Sequence, residues 1–344
     1  MRSVELVAPR RLEERVVSQP PDPGPGEVLV RLRAVGICGS DMHWYLEGGI
    51  GAFPASYPMV LGHEPVGEVL AAGSGVPLKP GAKVAIEPSI TCGHCEHCLA
   101  GHHNNCVQSV FMGSPQAPGF FREYAVVPAR NTDPVPQEMS LVRASLIEPV
   151  AVILHVMELV EIRVGDTVAV LGAGSIGMLC ATMARLAGAS RVFIADRLKH
   201  RLELARAMGA DVVIHTPTEN PAEIVLDATR GRGVDVVLDA AGAVETINAG
   251  LALCRPGGSF VLIGIPSEKQ LVVDLHTAMA KEVRLLTVKR SNHKGAAAIE
   301  LLRAGRIPEA LVTHRLPLER TPAAFEMLAA YSDGVGKVVI EFPA

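Results

Sequence analysis

The sequence has no large excess of charge of either sign. Its 32 lysines and arginines are balanced by 36 acidic residues, for a formal net charge of -4, and its isoelectric point is near 6.3. Proteins that bind a nucleic-acid backbone or an anionic membrane concentrate positive charge on one surface. The balance therefore argues against both partners and leaves a small-molecule substrate as the expectation.

We also expect neither a targeting segment nor a membrane-spanning segment. Residues 1–20 carry charges of both signs and lack the apolar stretch of a secretion signal. The longest uncharged apolar stretch, residues 167–184, contains three glycines and begins like a strand, so we interpret it as a strand, a turn and a buried helix. We expect a cytoplasmic protein with no membrane partner, and we find no internal repeat or low-complexity segment.

The cysteines do not form a disulfide framework. Their number is odd, and four of the seven are crowded into fifteen positions, which favours metal binding in a reducing compartment. These four follow the spacing C-x2-C-x2-C-x7-C: Cys92, Cys95, Cys98 and Cys106. Four thiolates in one short loop can close a tetrahedron around zinc and leave no position for a substrate. The sequence therefore predicts a structural zinc loop over residues 88–107.

Histidines are interleaved with these cysteines and could replace one of the ligands: His94, His97, His102 and His103. Since structural zinc sites close at four ligands, we expect the histidines to be solvated instead.

The chain is long enough for two domains, and its pattern of predicted secondary structure changes near residue 146. Short predicted strands broken by proline and glycine occupy the first part, at residues 27–35, 66–71, 83–86 and 123–127. Six strands alternating with helices follow, at residues 167–171, 191–196, 211–215, 234–239, 259–263 and 283–288. We predict a β-rich domain over residues 1–145, a doubly wound parallel α/β domain over residues 146–290, and a segment 291–344 that returns to the first domain.

A glycine-rich turn follows the first of these six strands. Gly172 permits the tight turn, Gly174 lets the backbone approach a pyrophosphate, and Gly177 lets the helix pack on the strand. An acid, Asp196, ends the next strand, where a carboxylate can accept hydrogen bonds from ribose hydroxyls. This combination predicts a dinucleotide site, although a glycine turn without a nucleotide is the alternative.

The acid favours NAD, because it would repel a 2′-phosphate. Nearby arginines support a phosphate and keep NADP open: Arg197 and Arg201. Further residues are assigned to the cofactor site by their position in the turn or after a later strand: Ser175, Ile176, Gly264, Ile265 and Arg290.

A second, dispersed set of metal-binding residue types consists of Cys38, His63, Glu64 and Glu148. Spacing alone proves nothing here, because each is more often a packing or surface residue. Their surrounding motifs are more specific: residues 36–43 read GICGSDMH, residues 62–69 read GHEPVGEV, and residues 146–149 read LIEP.

Together with the four-cysteine loop and with residues 312–319, VTHRLPLE, these motifs resemble the zinc-containing medium-chain dehydrogenases. Within them the sequence is most similar to the sorbitol, xylitol and related polyol dehydrogenases, and the resemblance covers residues 26–342. It implies a GroES-like catalytic domain, a Rossmann domain, and a homodimer or homotetramer whose subunits commonly pair at the sixth strand. The implied reaction transfers a hydride from a secondary hydroxyl of a polyol to NAD and gives a ketose.

The resemblance also implies roles for individual residues. Cys38, His63 and Glu64 would form the catalytic zinc shell, with Glu148 binding directly or through water. Ser40 would accept the hydroxyl proton, and His43 would pass it toward solvent; either one could instead be an ordinary polar turn residue.

Among three residues of the expected substrate pocket, the role of one is ambiguous and the other two depart from the family's pattern. Arg290 would donate to substrate hydroxyls, although a solvated arginine at a strand end is an equally good interpretation. Trp44 and Ser291 stand where the animal sorbitol enzymes commonly have tyrosine, which puts sorbitol itself in doubt.

Three other functions remain open. The first is a threonine, 2,3-butanediol or glucose dehydrogenase of the same architecture, since fold likeness does not fix the substrate. The second is a noncatalytic nucleotide-binding protein. A zinc-free quinone reductase is the third, and the intact metal motifs disfavour it, as they disfavour the second.

Overall fold

A computed structural model describes residues 1–51 and 53–343. They form two compact units. The first contains residues 1–151, 291–306 and 312–344, and the second contains residues 152–290 and 307–311. Among the described residues, no helix is both long enough and apolar enough to cross a membrane.

The strands in the described residues are β1 (Arg2–Ala8), β2 (Arg11–Val16), β3 (Glu27–Gly36), β4 (Gly49–Ile50), β5 (Phe53–Pro54), β6 (Met59–Val60), β7 (Glu64–Ala72), β8 (Lys83–Ile86), β9 (Ser89–Ile90), β10 (Val110–Phe111), β11 (Tyr124–Pro128), β12 (Thr132–Pro134), β13 (Thr167–Leu171), β14 (Arg191–Asp196), β15 (Val212–His215), β16 (Val234–Asp239), β17 (Cys254–Leu262), β18 (Arg284–Thr287), β19 (Val312–Pro317) and β20 (Lys337–Glu341).

The α-helices are α1 (Gly39–Glu47), α2 (Glu96–Leu99), α3 (Leu141–Ala144), α4 (Ile147–Leu159), α5 (Ser175–Leu186), α6 (Lys199–Ala207), α7 (Pro221–Ala228), α8 (Val244–Leu253), α9 (Leu275–Ala280), α10 (Gly295–Arg303) and α11 (Thr321–Ala330). Short 3-10 helices lie at His103–Asn105, Ala129–Asn131, Glu309–Leu311 and Leu318–Arg320.

The first unit is built around a sheet in the order β12-β8-β7-β3-β20-β19, with β11 also paired to β3. Central strand β3 alternates buried and half-buried residues along most of its length, as expected when one face packs on a core. That core includes aromatic side chains with essentially no exposed surface: Phe120, Phe121 and Phe325. The β-rich first domain is therefore confirmed.

The second unit is a six-stranded parallel sheet in the order β15-β14-β13-β16-β17-β18. Numbered from its own first strand, this is the order 3-2-1-4-5-6 of a dinucleotide-binding fold. All six residues of β16 are buried, because helices cover both faces of such a sheet. The predicted doubly wound six-stranded fold is confirmed.

Most predicted strands agree with the structure to within two residues, and the exceptions have physical reasons. β17 begins at Cys254 rather than at residue 259, because Cys254 already pairs with Val234 across a register shift. β1 and β2 had no predicted counterpart. β2 is largely exposed and mostly charged, so it lacks the apolar alternation by which a strand is recognised.

Candidate functional site

Strand register brings the dispersed candidate ligands together within the first unit. β3 runs antiparallel to β7, and the pairing of Gly36 with Glu64 places the end of β3 beside the start of β7. Cys38 follows two residues after Gly36, and His63 immediately precedes Glu64. Three side chains from two distant stretches of sequence therefore converge at one end of the sheet.

These three side chains form a compact donor set. One ligand atom each from Cys38, His63 and Glu64 lies within 4.8 Å of the others. The side chains of His63 and Glu64 are buried, with 4% and 1% of their surface exposed. A thiolate, an imidazole and a carboxylate form a donor set typical of zinc, and three protein ligands leave a position open.

Buried atoms without partners support this fit. Glu64 Oε1 is buried and makes no hydrogen bond among the described residues. An unsatisfied buried carboxylate oxygen costs free energy unless a cation or donor satisfies it. The residues present therefore suit a zinc ion.

Asp41, which the sequence analysis did not assign, organises this cluster. Its carboxylate is fully buried. Oδ2 accepts a hydrogen bond from the backbone N–H of Cys38 at 3.0 Å, and Oδ1 accepts one from Gly62 N–H at 3.1 Å. Oδ1 also lies 3.3 Å from His63 Nδ1. One carboxylate thus holds both ligand-bearing loops and directs Nε2 of His63 toward the cluster.

This carboxylate also changes the acidity of the histidine. Burial lowers the pKa of His63, but the charges of Asp41 and Cys38 outweigh burial and raise it well above its ordinary value. The motif GICGSD contained Asp41, so its position three residues after Cys38 was the available clue.

Lys337 is a second residue that sequence reasoning missed. Only 2% of its surface is exposed, and its Nζ is ion-paired with Glu64 Oε2. Nζ also donates to the carbonyl of Ile37 at 2.9 Å. β20 is antiparallel to β3, with Val339 opposite Gly36, so the start of β20 reaches the same sheet end. A lysine opening a late strand carried no recognisable sequence pattern.

Gly36 is required where Glu64 crosses β3. A Cβ on Gly36 would lie 1.9 Å from Glu64 Oε2 and 3.0 Å from Lys337 Cε. Any side chain there would displace the ion pair, so the glycine makes room for it.

Glu148 lies on the wall of the same small cavity as Glu64. Burial raises its pKa to about 8, the charge of His63 opposes that rise, and the charges of Glu64 and Glu87 add to it. Glu148 is not within the compact donor set of Cys38, His63 and Glu64.

The four cysteines of the predicted zinc loop also converge. Their sulfur atoms all lie within 4.8 Å of one another, and Cys92 Sγ is 3.9 Å from Cys98 Sγ and 3.5 Å from Cys106 Sγ. A zinc–sulfur bond of about 2.3 Å gives a tetrahedral edge of about 3.8 Å. The sulfur positions therefore suit zinc.

Backbone donors favour the thiolate at Cys95 and Cys106, whereas burial raises the pKa of the Cys98 thiol to about 12. Cys92 N–H donates to Cys106 Sγ, and Cys95 N–H donates to Cys92 Sγ, each at 3.3 Å. Hydrogen bonds from the backbone of Cys98 and Val107 lower the pKa of the Cys95 thiol to about 6. The interleaved histidines lie outside the donor set.

The other residues predicted for the chemistry lie on α1. Ser40 Oγ is 3.3 Å from His63 Nε2, so its hydroxyl borders the cluster. His43 Nδ1 is 3.0 Å from Glu47 Oε1, one turn further along the helix. Trp44 is 5% exposed and packs in the core of the first unit, which leaves little of its ring for contact with a substrate.

The glycine-rich turn in the second unit has the backbone geometry that dinucleotide binding needs. Gly172 has a φ of 94°, a conformation that glycine adopts without strain. A Cβ on Gly177 would lie 1.8 Å from the Gly172 carbonyl oxygen, so only glycine lets α5 start this close to β13. Gly174 is the N-cap of α5, and the first turn of that helix holds Ser175 and Ile176.

Asp196 ties this turn to the end of β14. Its Oδ2 accepts from Ala173 N–H at 2.6 Å, and its Oδ1 accepts from Leu198 N–H at 2.8 Å. Arg201 Nη1 lies 3.9 Å from the position of a Cβ on Gly174, so this cation borders the turn. The carbonyl of Arg197 accepts a contact from His215 Nε2 at 3.1 Å.

The remaining cofactor candidates follow later strands of the same sheet. A Cβ on Gly264 would lie 2.4 Å from Gly242 N, so the segments after β16 and β17 touch backbone to backbone. Gly242 was not assigned from sequence. Ile265 is 42% exposed. Arg290 follows β18 and has a φ of 56°, a left-handed conformation uncommon for a residue with a side chain.

Comparison with known proteins finds two family models that match this chain. Residues 24–137 match the alcohol dehydrogenase GroES-like domain, and residues 175–304 match the zinc-binding dehydrogenase model. Sorbitol dehydrogenase of Bacillus subtilis is 34% identical over 322 residues, covering 93% of this chain and 91% of the relative.

Two further relatives agree with this assignment. D-xylulose reductase A of Aspergillus niger is 36% identical over 316 residues, covering 89% of this chain and 87% of the relative. A solved structure described as a zinc-binding dehydrogenase from Sinorhizobium meliloti 1021, bound to NADP, superposes with a TM-score of 0.91 and 32% identity, over 99% of this chain and 98% of that one.

Proposed function

This chain belongs to the family of zinc-containing, NAD(P)-dependent medium-chain alcohol dehydrogenases, and we propose that it oxidises a secondary hydroxyl of a polyol of the sorbitol or xylitol class to a ketose, with NAD as hydride acceptor. The observation that carries the proposal is the compact cluster of Cys38, His63 and Glu64, with Glu148 on the wall of the adjoining cavity.

The substrate class is supported by that second glutamate and by the relatives. Alcohol dehydrogenases proper resemble this chain but usually carry a second cysteine where Glu148 stands, whereas the polyol subgroup has glutamate. The curated relatives named above are a sorbitol dehydrogenase and a D-xylulose reductase. A polyol is thus the substrate class that the residues and the relatives favour together.

Each residue of the cluster has a proposed task. Cys38, His63 and Glu64 would hold the ion, with Glu148 contacting it directly or through water. When bound, zinc supplies Lewis acidity that lowers the pKa of a hydroxyl placed on it. Asp41 fixes the His63 ring, and Lys337 orients the Glu64 carboxylate.

Proton transfer is assigned to α1. Ser40 Oγ would accept the substrate hydroxyl proton, since it borders the cluster at His63. His43 lies three residues further along the helix, next to Glu47. We propose that His43 receives the proton from Ser40 and passes it to solvent.

NAD is the proposed cofactor. The carboxylate of Asp196 is fixed by two backbone donors at the end of β14, where it would meet the ribose hydroxyls and repel a 2′-phosphate. Arg201 beside the turn, together with Arg197, supplies the opposing argument for NADP. A lower KM for NADP than for NAD would reverse this part of the proposal.

A homodimer or homotetramer is proposed from the edge of the second unit. Strand β18 is the sixth strand and an edge of its sheet, and three of its four residues are exposed. Unpaired strand edges are ready sites for pairing with another chain. A sedimentation mass equal to one chain would contradict the assembly. We also propose a cytoplasmic location, consistent with seven cysteines that form no disulfide.

The test is NADH formation across sorbitol, xylitol, 2,3-butanediol, threonine, glucose and simple alcohols, with and without a zinc chelator. Chelator-sensitive activity confined to polyols is expected. Activity on threonine, butanediol or glucose alone would keep the chemistry and refute the polyol assignment. If the folded, zinc-loaded protein forms no NADH with any of these substrates, a noncatalytic nucleotide-binding role would be favoured.

A further inference from the structure

One asparagine side chain links the four-cysteine loop to the segment that follows Arg290. Asn292 Oδ1 accepts a hydrogen bond from His103 N–H at 3.1 Å, and Asn292 Nδ2 donates to the carbonyl of Gly101 at 2.9 Å. The side-chain amide thus uses its donor and its acceptor on the backbone of one three-residue span, as a neighbouring strand would.

That span is itself tied to two of the zinc-binding cysteines. Gly101 N–H donates to the carbonyl of Cys98 at 3.1 Å, and Cys106 N–H donates to the carbonyl of His103 at 3.0 Å. The positions of the Asn292 partners are therefore set by the backbone of Cys98 and Cys106, whose sulfur atoms converge with those of the other two cysteines.

The segment beyond Arg290 is held in an uncommon conformation. Arg290 and His293 have φ values of 56° and 52°, and a side-chain-bearing residue in this left-handed region persists where surrounding contacts hold it. Ser291 between them is 5% exposed. The His293 ring meets the His103 ring edge to face, with centroids 4.1 Å apart, so the loop contacts the segment at two consecutive residues.

We propose that Asn292 is a positioning residue through which the four-cysteine loop fixes the backbone of residues 291–293. The loop then does more than stabilise its own fold: its metal-bound shape holds the segment to which Arg290 is covalently joined. The consequence for substrate binding rests on the proposed function and on the role that the family resemblance implies for Arg290, a donor to polyol hydroxyls. The mechanical link between loop and segment does not.

Coupling between two sites is reciprocal. If loop and segment hold each other in place, loosening the segment must weaken metal retention in the loop. Two net hydrogen bonds correspond to about a tenfold change in an equilibrium constant.

The first experiment measures zinc release to a chromogenic chelator from full-length protein carrying Cys38→Ser, so that the ion of the four-cysteine loop is followed alone. Adding Asn292→Ala should speed release about tenfold. Asn292→Asp should have an intermediate effect, because it can still accept from His103 N–H but cannot donate to Gly101.

The matched control is Asn248→Ala. Asn248 makes the same kind of two-sided amide contact in the second unit, donating to the Val272 carbonyl at 3.2 Å and accepting from Asp274 N–H at 2.8 Å. Asn248→Ala removes as many hydrogen bonds as Asn292→Ala does, but it should leave the rate of zinc release unchanged. Equal release rates in the parent, Asn292→Ala and Asn248→Ala proteins would overturn the proposal, whatever the activity assays give.

The second experiment measures steady-state kinetics on a polyol that the parent enzyme oxidises. Asn292→Ala should raise the KM for the polyol about three- to tenfold and change kcat less than about twofold, as for lost ground-state binding. Faster zinc release with an unchanged KM would refute the positioning of Arg290. If the parent protein oxidises no polyol, the proposed function fails, while the zinc-release result still decides whether the loop and the segment are coupled.

Discussion

The two candidate zinc sites in the first unit are built in opposite ways. The four-cysteine site is contained in residues 92–106, whereas the Cys38, His63 and Glu64 site draws on the ends of β3 and β7 and on a lysine that opens β20. The first can form wherever its loop is ordered. The second exists only when three strands pair in one register, so its geometry depends on the whole sheet.

The two sites also balance charge differently. Backbone N–H groups serve the thiolates of the loop, and these donors come from the loop itself. The dispersed site instead carries a buried ammonium and a buried second carboxylate, Lys337 and Asp41. A site that performs chemistry needs an open position, so charges outside the ligand shell must keep its ligands in place.

The sharpest way to separate the sites is the same substitution in each. Cys38→Ser should lower turnover by at least about 10³-fold, because it removes a ligand of the ion that we propose activates the substrate hydroxyl, while leaving thermal stability nearly intact. Cys98→Ser should mainly lower thermal stability, because structural zinc contributes folding energy. Turnover, metal content and melting temperature give the comparison, and each variant should hold one zinc per chain. Equal losses of turnover in both variants would erase the distinction.

Breaking the buried ion pair between Lys337 and Glu64 should have the next largest effect. Lys337→Met leaves the Glu64 carboxylate buried without its cation and should destabilise the metal-free protein by about 3–5 kcal/mol. Zinc-loaded protein should lose less, because the ion takes over part of the charge balance. Denaturant unfolding with and without chelator measures both, and Lys337→Arg is the charge-retaining control. A loss that is the same with and without zinc would contradict a link between this pair and the metal site.

Asp235, a buried charged residue of the second unit, allows a comparison that involves neither candidate zinc site. Burial of Asp235 raises its pKa, but hydrogen bonds from Arg232, Thr167 and Arg255 outweigh burial and hold that pKa well below its ordinary value. The stabilisation is therefore complete above the unfolded-state pKa of about 4 and is lost as the pH falls toward the folded-state value.

Asp235→Asn should accordingly cost about 1.5–3 kcal/mol at pH 7, and the difference from the parent protein should shrink below about pH 4. Urea unfolding across pH checks the slope. Chelator should not alter the result, and a chelator-dependent loss would place Asp235 in a metal-linked network, against the structure.

The smallest effect is expected from changing Asp41, whose carboxylate contacts the His63 ring. Asp41→Asn should weaken zinc binding at the dispersed site by about 10- to 100-fold, because it removes the charge and one acceptor from the His63 ring and the Cys38 loop. Competition with a chelator measures the affinity, and Asp22→Asn, an exposed change, is the control. An unchanged zinc affinity would reduce Asp41 to a purely structural residue.

The secondary structure was predicted from the sequence more completely in the second unit than in the first. In the second unit, β13, β14 and β16 were predicted at their observed bounds, because buried parallel strands are continuous apolar runs between glycine-rich turns. In the first unit β1 and β2 were missed. The assigned ligands Cys38, His63 and Glu64 came from family motifs, and their spacing alone would not have joined them.

The functional residues that no sequence motif predicted are those that act by positioning other residues. Lys337 and Asn292 each contact a partner about 190 to 300 positions away in the chain. Trp44, assigned to the substrate pocket by the resemblance to the polyol dehydrogenases, is buried in the core. Such roles depend on which side chains a fold brings within a few ångströms.

By itself the sequence determined the α/β class, the glycine-rich turn with its acid, and the four-cysteine zinc loop, because each is encoded by residues a short distance apart. Only the tertiary structure decided that Lys337 neutralises Glu64, that Asp41 spans two loops, and that Asn292 ties the cysteine loop to the segment after Arg290. These contacts follow from strand register and chain return, and neither has a local signature in the sequence.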